Sequence, residues 1–170
     1  MKIMLKDIMV KQLKRNNDER GTFTEIFRTD WKELFDTDKP VQANFSMTYP
    51  GTVRAWHRHK RGQTDYFTVL QGALKICAYD EKTRELTEII SADNDVQIVR
   101  IPGHYWHGFK AIGTKTALLV YFTTRHYDYE NPDEERKLFN DPHVIPKTVN
   151  GNKKDPRTGK PWDWNLAPHK

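Results

Sequence analysis

The sequence predicts an all-β fold in which two sheets pack as a sandwich or close as a barrel. Short segments rich in β-branched and aromatic residues recur along the chain, and turn-forming pairs such as Pro50-Gly51 separate them. Helical patterns are confined to two short segments. The predicted strands cover residues 22–27, 41–47, 53–59, 65–70, 73–79, 95–101 and 117–123.

The two predicted helices are short. Residues 30–35, DWKELF, are expected to form one or two turns, with Asp30 in position to cap the N-terminus. A second helix is expected to begin near Pro132, because acidic residues precede basic ones in the segment NPDEERKLF. Residues 2–8, KIMLKDI, have the composition of a further strand.

Length and composition predict one globular domain. The chain has 170 residues, of which 36% are hydrophobic and 30% charged, and this suits a single core. We assign residues 1–145 to this domain and residues 146–170 to a basic C-terminal extension. Trp162 and Trp164 are expected to anchor the extension to the domain or to a partner subunit.

The composition argues against several classes of protein. Most of the net charge of +5 lies in the extension, and no nucleic-acid recognition motif accompanies it. A basic surface equally suits a small substrate with phosphate groups. The charged N-terminal segment and the lack of a long apolar run predict a cytoplasmic protein without membrane contact. The single cysteine, Cys77, permits no internal disulfide and is expected to be buried.

Two imidazoles share one face of a predicted strand. His57 and His59 are two residues apart, so they point the same way on a β-strand. Asp65 follows in the chain, and the segment IPGHYWHGF adds His107. Three imidazoles and one carboxylate suit a divalent Zn, Fe, Mn or Ni ion with open positions for water or substrate.

This set of histidines lies in a pattern that resembles the two sequence motifs of the cupin superfamily. The matching residues are Gly51, His57, His59, Gly72, Pro102 and His107. Cupins are double-sheet jelly rolls whose barrel mouth often holds a metal, so the resemblance implies that fold. In this chain Asp65 stands in place of the usual glutamate, and His104 in place of the glycine of the second motif.

A closer resemblance covers most of the chain. The blocks DERGTFTEIF, QANFS, VRAWH, IPGHYWHGF, LVYFTT and LFNDP occur in the order and spacing of the dTDP-4-dehydrorhamnose 3,5-epimerase family. That family consists of homodimeric cupins that act on dTDP-linked 4-keto-6-deoxy sugars, usually without a metal. The resemblance therefore implies an epimerase of a nucleotide sugar and a homodimer paired through exchanged N-terminal strands.

The resemblance also implies roles for individual residues. The family's base is a histidine, matched by His57, and its proton donor is a tyrosine, matched by Tyr121. The base removes a proton next to a ketone, and the donor delivers a proton to the opposite face of the sugar. The positions that match substrate-binding residues are Arg20, Glu25, Gln42, Asn44, Arg54 and, at the sugar, His107.

The chain departs from the family at the site itself. Asp65 replaces a lysine that stabilises the enolate, and His59 replaces a common glutamine. In the family an aspartate in the C-terminal region pairs with the base; this chain diverges too far there to align, and Asp155 is a candidate chosen without a match. The first two changes favour an alternative in which His57, His59, Asp65 and His107 bind a metal that polarises the ketone.

A metal bound by His57 would leave the base to be supplied by another residue. The candidates for that base are Tyr121, Tyr66 and His104. The site also suits two other functions, a metal-dependent cupin enzyme of another class, such as a dioxygenase or sugar isomerase, and a non-catalytic binder of sugar nucleotides.

Simpler interpretations apply to the charged residues. Asp65 can pair with Arg61 or orient a histidine, and Arg20 and Glu25 can pair with each other on the surface.

Strand geometry raises a separate question about Arg54. Because Arg54 and His57 differ by an odd number of positions, they face one pocket only if a bulge separates them; otherwise Arg54 serves a different surface, such as the partner's site.

Overall fold

The computed structural model describes residues 4–167 of the chain. Within this range it contains thirteen strands and one short helix, α1 (Lys32–Phe35). The strands are β1 (Met9–Gln12), β2 (Arg15–Asp18), β3 (Gly21–Thr24), β4 (Gln42–Thr48), β5 (Val53–His59), β6 (Thr64–Gln71), β7 (Ala73–Asp80), β8 (Glu85–Ala92), β9 (Gln97–Pro102), β10 (Trp106–Ile112), β11 (Ala117–Thr123), β12 (Glu134–Arg136) and β13 (Thr148–Val149). No helix among the described residues is long and apolar enough to cross a membrane.

Two large sheets form the body of the fold. One sheet has the strand order β1-β9-β6-β11-β4, and the other has the order β12-β5-β10-β7-β8-β13. Neighbouring strands run antiparallel except that β13 lies parallel to β8. A separate hairpin pairs β2 with β3. The predicted all-β fold, a double-sheet jelly roll with a short helix, is confirmed.

The main core lies between the inner faces of the two sheets. Phe67, Val69 and Leu119 of the five-stranded sheet pack in one cluster with Leu74 and Ile76 of the six-stranded sheet. Each of these side chains is at most 2% exposed. Complete burial of such a side chain contributes about 1.5–3 kcal/mol, so this cluster fixes the spacing of the two sheets.

The outer face of the six-stranded sheet carries a second apolar cluster. Cys77 and Tyr79 alternate with the inward residues of β7 and therefore point outward. They pack with Trp56 and with two tryptophans of the C-terminal extension, Trp162 and Trp164. The prediction that Cys77 is buried is confirmed. Trp162 and Trp164 are each 3% exposed, in contact with the outer face of their own chain's sheet.

Buried charges also hold the extension in place. Arg157 is 2% exposed and donates hydrogen bonds to Glu88 of β8 at 2.6 Å and to Asp155 at 2.9 Å. The candidate role of Asp155 as a partner of His57 is wrong, because its carboxylate accepts hydrogen bonds from the buried Arg157 of the extension. We infer that the extension is an integral part of the domain.

The two helix predictions need correction. The helix at residues 30–35 is shorter than predicted, and its N-cap is Trp31 without a side-chain cap, since the Asp30 carboxylate binds Arg28 instead. The segment after Pro132 is not a helix but strand β12, which pairs with the edge of β5. The segment becomes a strand because its backbone can hydrogen-bond to the edge of β5. These bonds stabilise it more than its order of charges would stabilise a helix.

The predicted N-terminal strand is also placed differently. Residues 2 and 3 lie outside the described part of the chain, and residues 4–8 are not a strand. The first strand begins at Met9 and pairs with β9 of the same chain. Leu5 and Ile8 are buried in the main core, so this segment contributes packing in place of sheet pairing.

Strand β5 carries a bulge next to the site. His57 pairs with His107 of β10, but Arg54 pairs with Phe109, so β5 has one residue more than β10 between these two pairs. The extra residue turns Arg54 to the same side as His57. The bulge expected from the odd spacing of Arg54 and His57 is therefore present, and both residues face one pocket.

Gly108 is required by the close approach of β10 to this bulge. A Cβ atom at Gly108 would lie 2.4 Å from Ala55 Cβ and 2.6 Å from the Arg54 carbonyl oxygen. We predict that Gly108→Ala lowers the free energy of unfolding by about 2–3 kcal/mol in urea titrations, because the neighbouring backbone must move. Gly113→Ala is the control, since it meets no atom within 4 Å and costs about 1 kcal/mol for its positive φ alone. Equal stability of the two variants would contradict this packing.

The buried ion pairs of Arg157 generate a second prediction. Arg157→Gln would leave Glu88 and Asp155, each 6% exposed, without their main counter-charge. We expect a loss of about 3–5 kcal/mol in the free energy of unfolding and release of the extension to limited proteolysis. Arg20→Gln, which removes an exposed pair with Asp18, should leave the unfolding midpoint unchanged. Resistance of the Arg157 variant to proteolysis would argue against this anchoring role.

Candidate active site

A cavity of about 910 Å³ opens between the two sheets. Its walls come from β4, β6 and β11 of one sheet, from β5, β10 and β12 of the other, and from the segment that follows β11. The cavity is of the size that holds small ligands and cofactors. It brings together residues that lie far apart in the sequence.

His57 and Tyr121 face this cavity from opposite sheets. His57 is on β5, and Tyr121 is on β11. Burial and the neighbouring His107 lower the pKa of His57 well below its usual value of 6.5, so the imidazole is neutral and can accept a proton. Burial raises the pKa of Tyr121, so the phenol keeps a proton that it can donate.

The structure brings His57, His59, Asp65 and His107 into one cluster. Each residue offers a ligand atom, and these four atoms lie within 4.8 Å of one another. Asp65 Oδ2 is 3.2 Å from His107 Nε2 and 3.4 Å from His59 Nε2. Burial raises the pKa of Asp65, but the two histidines outweigh this effect and hold it below its usual value. Asp65 is therefore an ionised carboxylate that is only 2% exposed.

Gln63 belongs to this cluster and was missed by the sequence analysis. Its Nε2 donates to Asp65 Oδ1 at 2.7 Å and lies 3.2 Å from His59 Nε2. Gln63 is two residues before Asp65 and shares its face at the start of β6, which is the signal that could have identified it. The two oxygens of Asp65 therefore have different neighbours, Gln63 for one and the histidines for the other.

Three predicted substrate-binding residues line the cavity. Gln42 and Asn44 point inward from β4, and Gln42 Nε2 donates to Asn44 Oδ1 at 2.9 Å. The Gln42 side-chain oxygen accepts a hydrogen bond from the backbone of Tyr127 at 2.8 Å. Arg54 reaches the same cavity because of the bulge in β5.

The other three predicted substrate-binding residues lie elsewhere. Arg20 is on the exposed β2–β3 hairpin and binds Asp18, whereas Glu25 accepts from Arg28. The expected surface pair between Arg20 and Glu25 is therefore wrong. His107 is fully buried behind His57 and does not form part of the cavity wall.

Three other residues do not take the parts expected of them: Tyr66 and His104 as bases, and Arg61 as a partner of Asp65. Tyr66 donates to Asp38, and neither Tyr66 nor His104 forms part of the cavity wall. Arg61 pairs with Asp133 at 3.3 Å and not with Asp65. Asp65 instead faces histidines, as in the interpretation that assigns it an orienting role.

The segment after β11 adds basic and aromatic residues that the sequence analysis missed. Arg125, Tyr127 and Tyr129 all line the cavity, and the two tyrosine rings meet edge to face with centroids 5.0 Å apart. Among the cavity cations in residues 4–167, Arg54 and Arg125 have no carboxylate partner, whereas Arg136 pairs with Glu134. These two arginines are free to bind an anion.

Comparison with known proteins identifies relatives along most of the chain. The sequence model of the family described as dTDP-4-dehydrorhamnose 3,5-epimerase matches residues 2–158. The chain is 46% identical over 135 residues to a probable low-salt glycan biosynthesis epimerase, Agl13, of Haloferax volcanii, and the match covers 76% of this chain and 85% of that protein. It is 31% identical over 143 residues to the spore coat polysaccharide biosynthesis protein SpsL of Bacillus subtilis, covering 81% and 92%.

A solved structure agrees with the sequence comparisons. The dTDP-6-deoxy-D-glucose-3,5-epimerase RmlC of Legionella pneumophila, in complex with dTDP-4-keto-L-rhamnose, matches with a TM-score of 0.75 and 26% identity. The match covers 85% of this chain and 79% of that chain. With the family model matched over residues 2–158, the chain belongs to the dTDP-4-dehydrorhamnose 3,5-epimerase family.

Proposed function

We propose that this protein epimerises a 4-keto-6-deoxy sugar carried on a nucleoside diphosphate, by removing a proton next to the ketone. The observation that supports this most directly is the placement of a neutral His57 and a protonated Tyr121 on opposite walls of one cavity. Inversion of a carbon needs a base on one face and a proton donor on the other. The relative from Legionella pneumophila is described in complex with a dTDP-linked keto sugar, so dTDP is the nucleotide to test first.

The proposed reaction begins at His57. A C–H bond next to a ketone is acidic because its conjugate base is an enolate, and His57 accepts that proton. Tyr121 then donates its phenolic proton to the opposite face of the same carbon. Asp65 does not offer a free oxygen to the ketone, because Gln63 binds Oδ1 and the histidines face Oδ2.

The basic and aromatic residues of the cavity suit the nucleotide. Arg54 and Arg125 supply guanidinium groups for the diphosphate, whose oxygens match the planar fork of arginine. Tyr127 and Tyr129 are 43% and 87% exposed, and an exposed aromatic ring in a cavity wall can stack on a base. The side-chain oxygen of Gln42 accepts a hydrogen bond from the backbone of Tyr127. This contact connects the polar wall at β4 with the aromatic segment after β11.

We also infer a homodimer. A two-stranded hairpin is marginally stable on its own, and residues 15–23 of the β2–β3 hairpin are exposed. Phe23 is 65% exposed, and Phe45 and Met47 on the outward side of β4 are 60% and 54% exposed. A second copy of the chain would cover these apolar surfaces and receive Arg20 and Glu25 at its own cavity.

Hydrogen exchange in deuterated water tests the roles of the two catalytic residues. With a dTDP-4-keto-6-deoxyhexose as substrate, His57→Asn should slow deuterium incorporation at C3 or C5 at least ~10²-fold, because the base is lost. Tyr121→Phe should retain exchange into the unepimerised sugar but lose the epimer, because His57 can return a deuteron only to the face it serves. Both outcomes are read by proton NMR.

The matched control for this experiment is His143→Asn, which changes an exposed histidine that binds Asp141 outside the cavity. Its exchange rate should equal that of the unaltered protein. Full exchange in the His57 variant would remove His57 from the role of base, and no exchange in the unaltered protein would favour a non-catalytic binder.

Subunit complementation tests the homodimer. If Arg20 acts at the cavity of the partner subunit, Arg20→Ala should reduce turnover at low substrate concentration. Coexpression of Arg20→Ala chains with His57→Asn chains should then restore activity, because a mixed dimer contains one cavity with both residues intact. Failure of the coexpressed chains to exceed either variant alone, although mixed dimers form, would place Arg20 outside the partner's site.

A further inference from the structure

We propose that the carboxylate of Glu134 accepts a hydrogen bond from the C2 hydroxyl group of the sugar and so determines which sugars the cavity accepts. This inference rests on the proposed function, because it assumes that a nucleotide-linked sugar occupies the cavity. Glu134 lies between the last two of the sequence blocks that carry the family resemblance, so the resemblance assigns it no role.

Four carboxylates line the cavity, those of Asp65, Asp128, Asp133 and Glu134. In the first three, protein groups occupy both oxygens. Asp65 has side-chain neighbours at Oδ1 and Oδ2. Asp128 accepts from backbone amides with Oδ1, and its Oδ2 lies 3.8 Å from Arg61. Asp133 accepts from the Arg61 backbone amide with both oxygens. These three carboxylates are therefore committed to holding the cavity wall.

Glu134 has one oxygen that the protein leaves available. Arg136 directs two hydrogen bonds to Oε2, and the one from its Nε is 2.8 Å long. Within residues 4–167 no group donates to Oε1. Because Glu134 lines the cavity and keeps 23% of its side chain exposed, Oε1 can accept a hydrogen bond from a bound ligand.

Strand β12 places this carboxylate beside the histidines of β5. Glu134 lies opposite His59, and Arg136 lies opposite His57. Side chains opposite each other on neighbouring antiparallel strands have Cβ atoms about 4.5–5.5 Å apart. Glu134 and Arg136 both line the cavity, whereas Glu135 between them does not. The carboxylate of Glu134 therefore lies one strand away from the proposed base.

Glu134 also lies near the proposed proton donor. Burial raises the pKa of Tyr121, and the negative charge of Glu134 contributes to this rise. In the proposed reaction the sugar ring lies between His57 and Tyr121, so the carboxylate of Glu134 borders the sugar.

Electrostatics separates this part of the cavity from the part that suits the diphosphate. A carboxylate repels phosphate oxygens, whereas Arg54 and Arg125 attract them. The free oxygen of Glu134 therefore favours a neutral group that can donate a hydrogen bond, and the hydroxyl groups of a sugar are such donors.

The chemistry of the proposed substrate identifies which hydroxyl group this is. A ketone oxygen only accepts hydrogen bonds, so the C4 ketone turns away from Glu134. The ring carries hydroxyl groups on C2 and C3, and inversion at C3 moves the hydroxyl group on that carbon. The C2 hydroxyl keeps its place in substrate and product, because C2 is not next to the ketone. A contact with it can hold the sugar throughout the reaction.

A pair of substrates that differ only at C2 tests this assignment. The unaltered protein should turn over dTDP-4-keto-6-deoxyglucose with a kcat/KM about tenfold or more above that for dTDP-4-keto-2,6-dideoxyglucose, because a hydrogen bond to a charged group is lost in the second. Glu134→Ala should abolish this preference, chiefly by raising KM for the first substrate. Glu134→Gln keeps an acceptor oxygen and should retain part of the preference.

The matched control is Glu135→Ala, which changes the neighbouring carboxylate of β12 outside the cavity wall. It should keep the full preference. A residue that only supported the wall would lower kcat/KM for both substrates equally when changed. An undiminished preference in Glu134→Ala, or equal kcat/KM for the two substrates in the unaltered protein, would overturn the assignment.

Binding measurements separate this inference from the proposed function. dTDP-6-deoxyglucose and dTDP-2,6-dideoxyglucose have no ketone and cannot be enolised, so calorimetry gives their Kd without turnover. The unaltered protein should prefer the first about tenfold or more, and Glu134→Ala should bind both equally. This result without turnover of either keto sugar would leave the role of Glu134 and remove the proposed function. Turnover with equal Kd values and equal kcat/KM would leave the proposed function and remove the role of Glu134.

Discussion

The bulged pairing of β5 with β10 is the contact on which the site depends. It aligns His57 with His107 and still turns Arg54 into the cavity, so the proposed base and the arginine proposed to bind phosphate come from one strand. Strand β12 pairs with the other edge of β5. Because β5 is hydrogen-bonded on both sides, its functional side chains are held by rigid elements and not by a loop. Gly108 permits the close approach of β10 that this geometry needs.

Charge is the second constraint on the site. A buried carboxylate is unfavourable unless other groups compensate it, and Asp65 is buried at the base of the cavity. Gln63, His59 and His107 surround its two oxygens. The resemblance places a lysine of the family at this position, so this chain has a negative charge where a positive one is expected.

The sequence predicted features that depend on local patterns. The spacing of His57 and His59 placed both on one face of β5, and the order of the sequence blocks identified the family. Local patterns did not predict the segment after Pro132, because its pairing with β5 is a contact between distant parts of the chain. Arg125 and Gln63 were missed for the same reason, since their importance comes from the residues that the fold places around them. The place of Asp155 beside Arg157 likewise depends on how the extension packs.

The most direct test of the central claim is the turnover of a dTDP-4-keto-6-deoxyhexose by the unaltered protein in deuterated water. In the proposed reaction, the proton that His57 removes exchanges with solvent, and Tyr121 delivers a hydrogen taken from solvent. The account therefore predicts an inverted product with deuterium at each inverted carbon, observed by NMR. Recovery of the substrate without deuterium at C3 or C5, from folded protein that binds the nucleotide sugar, would contradict it.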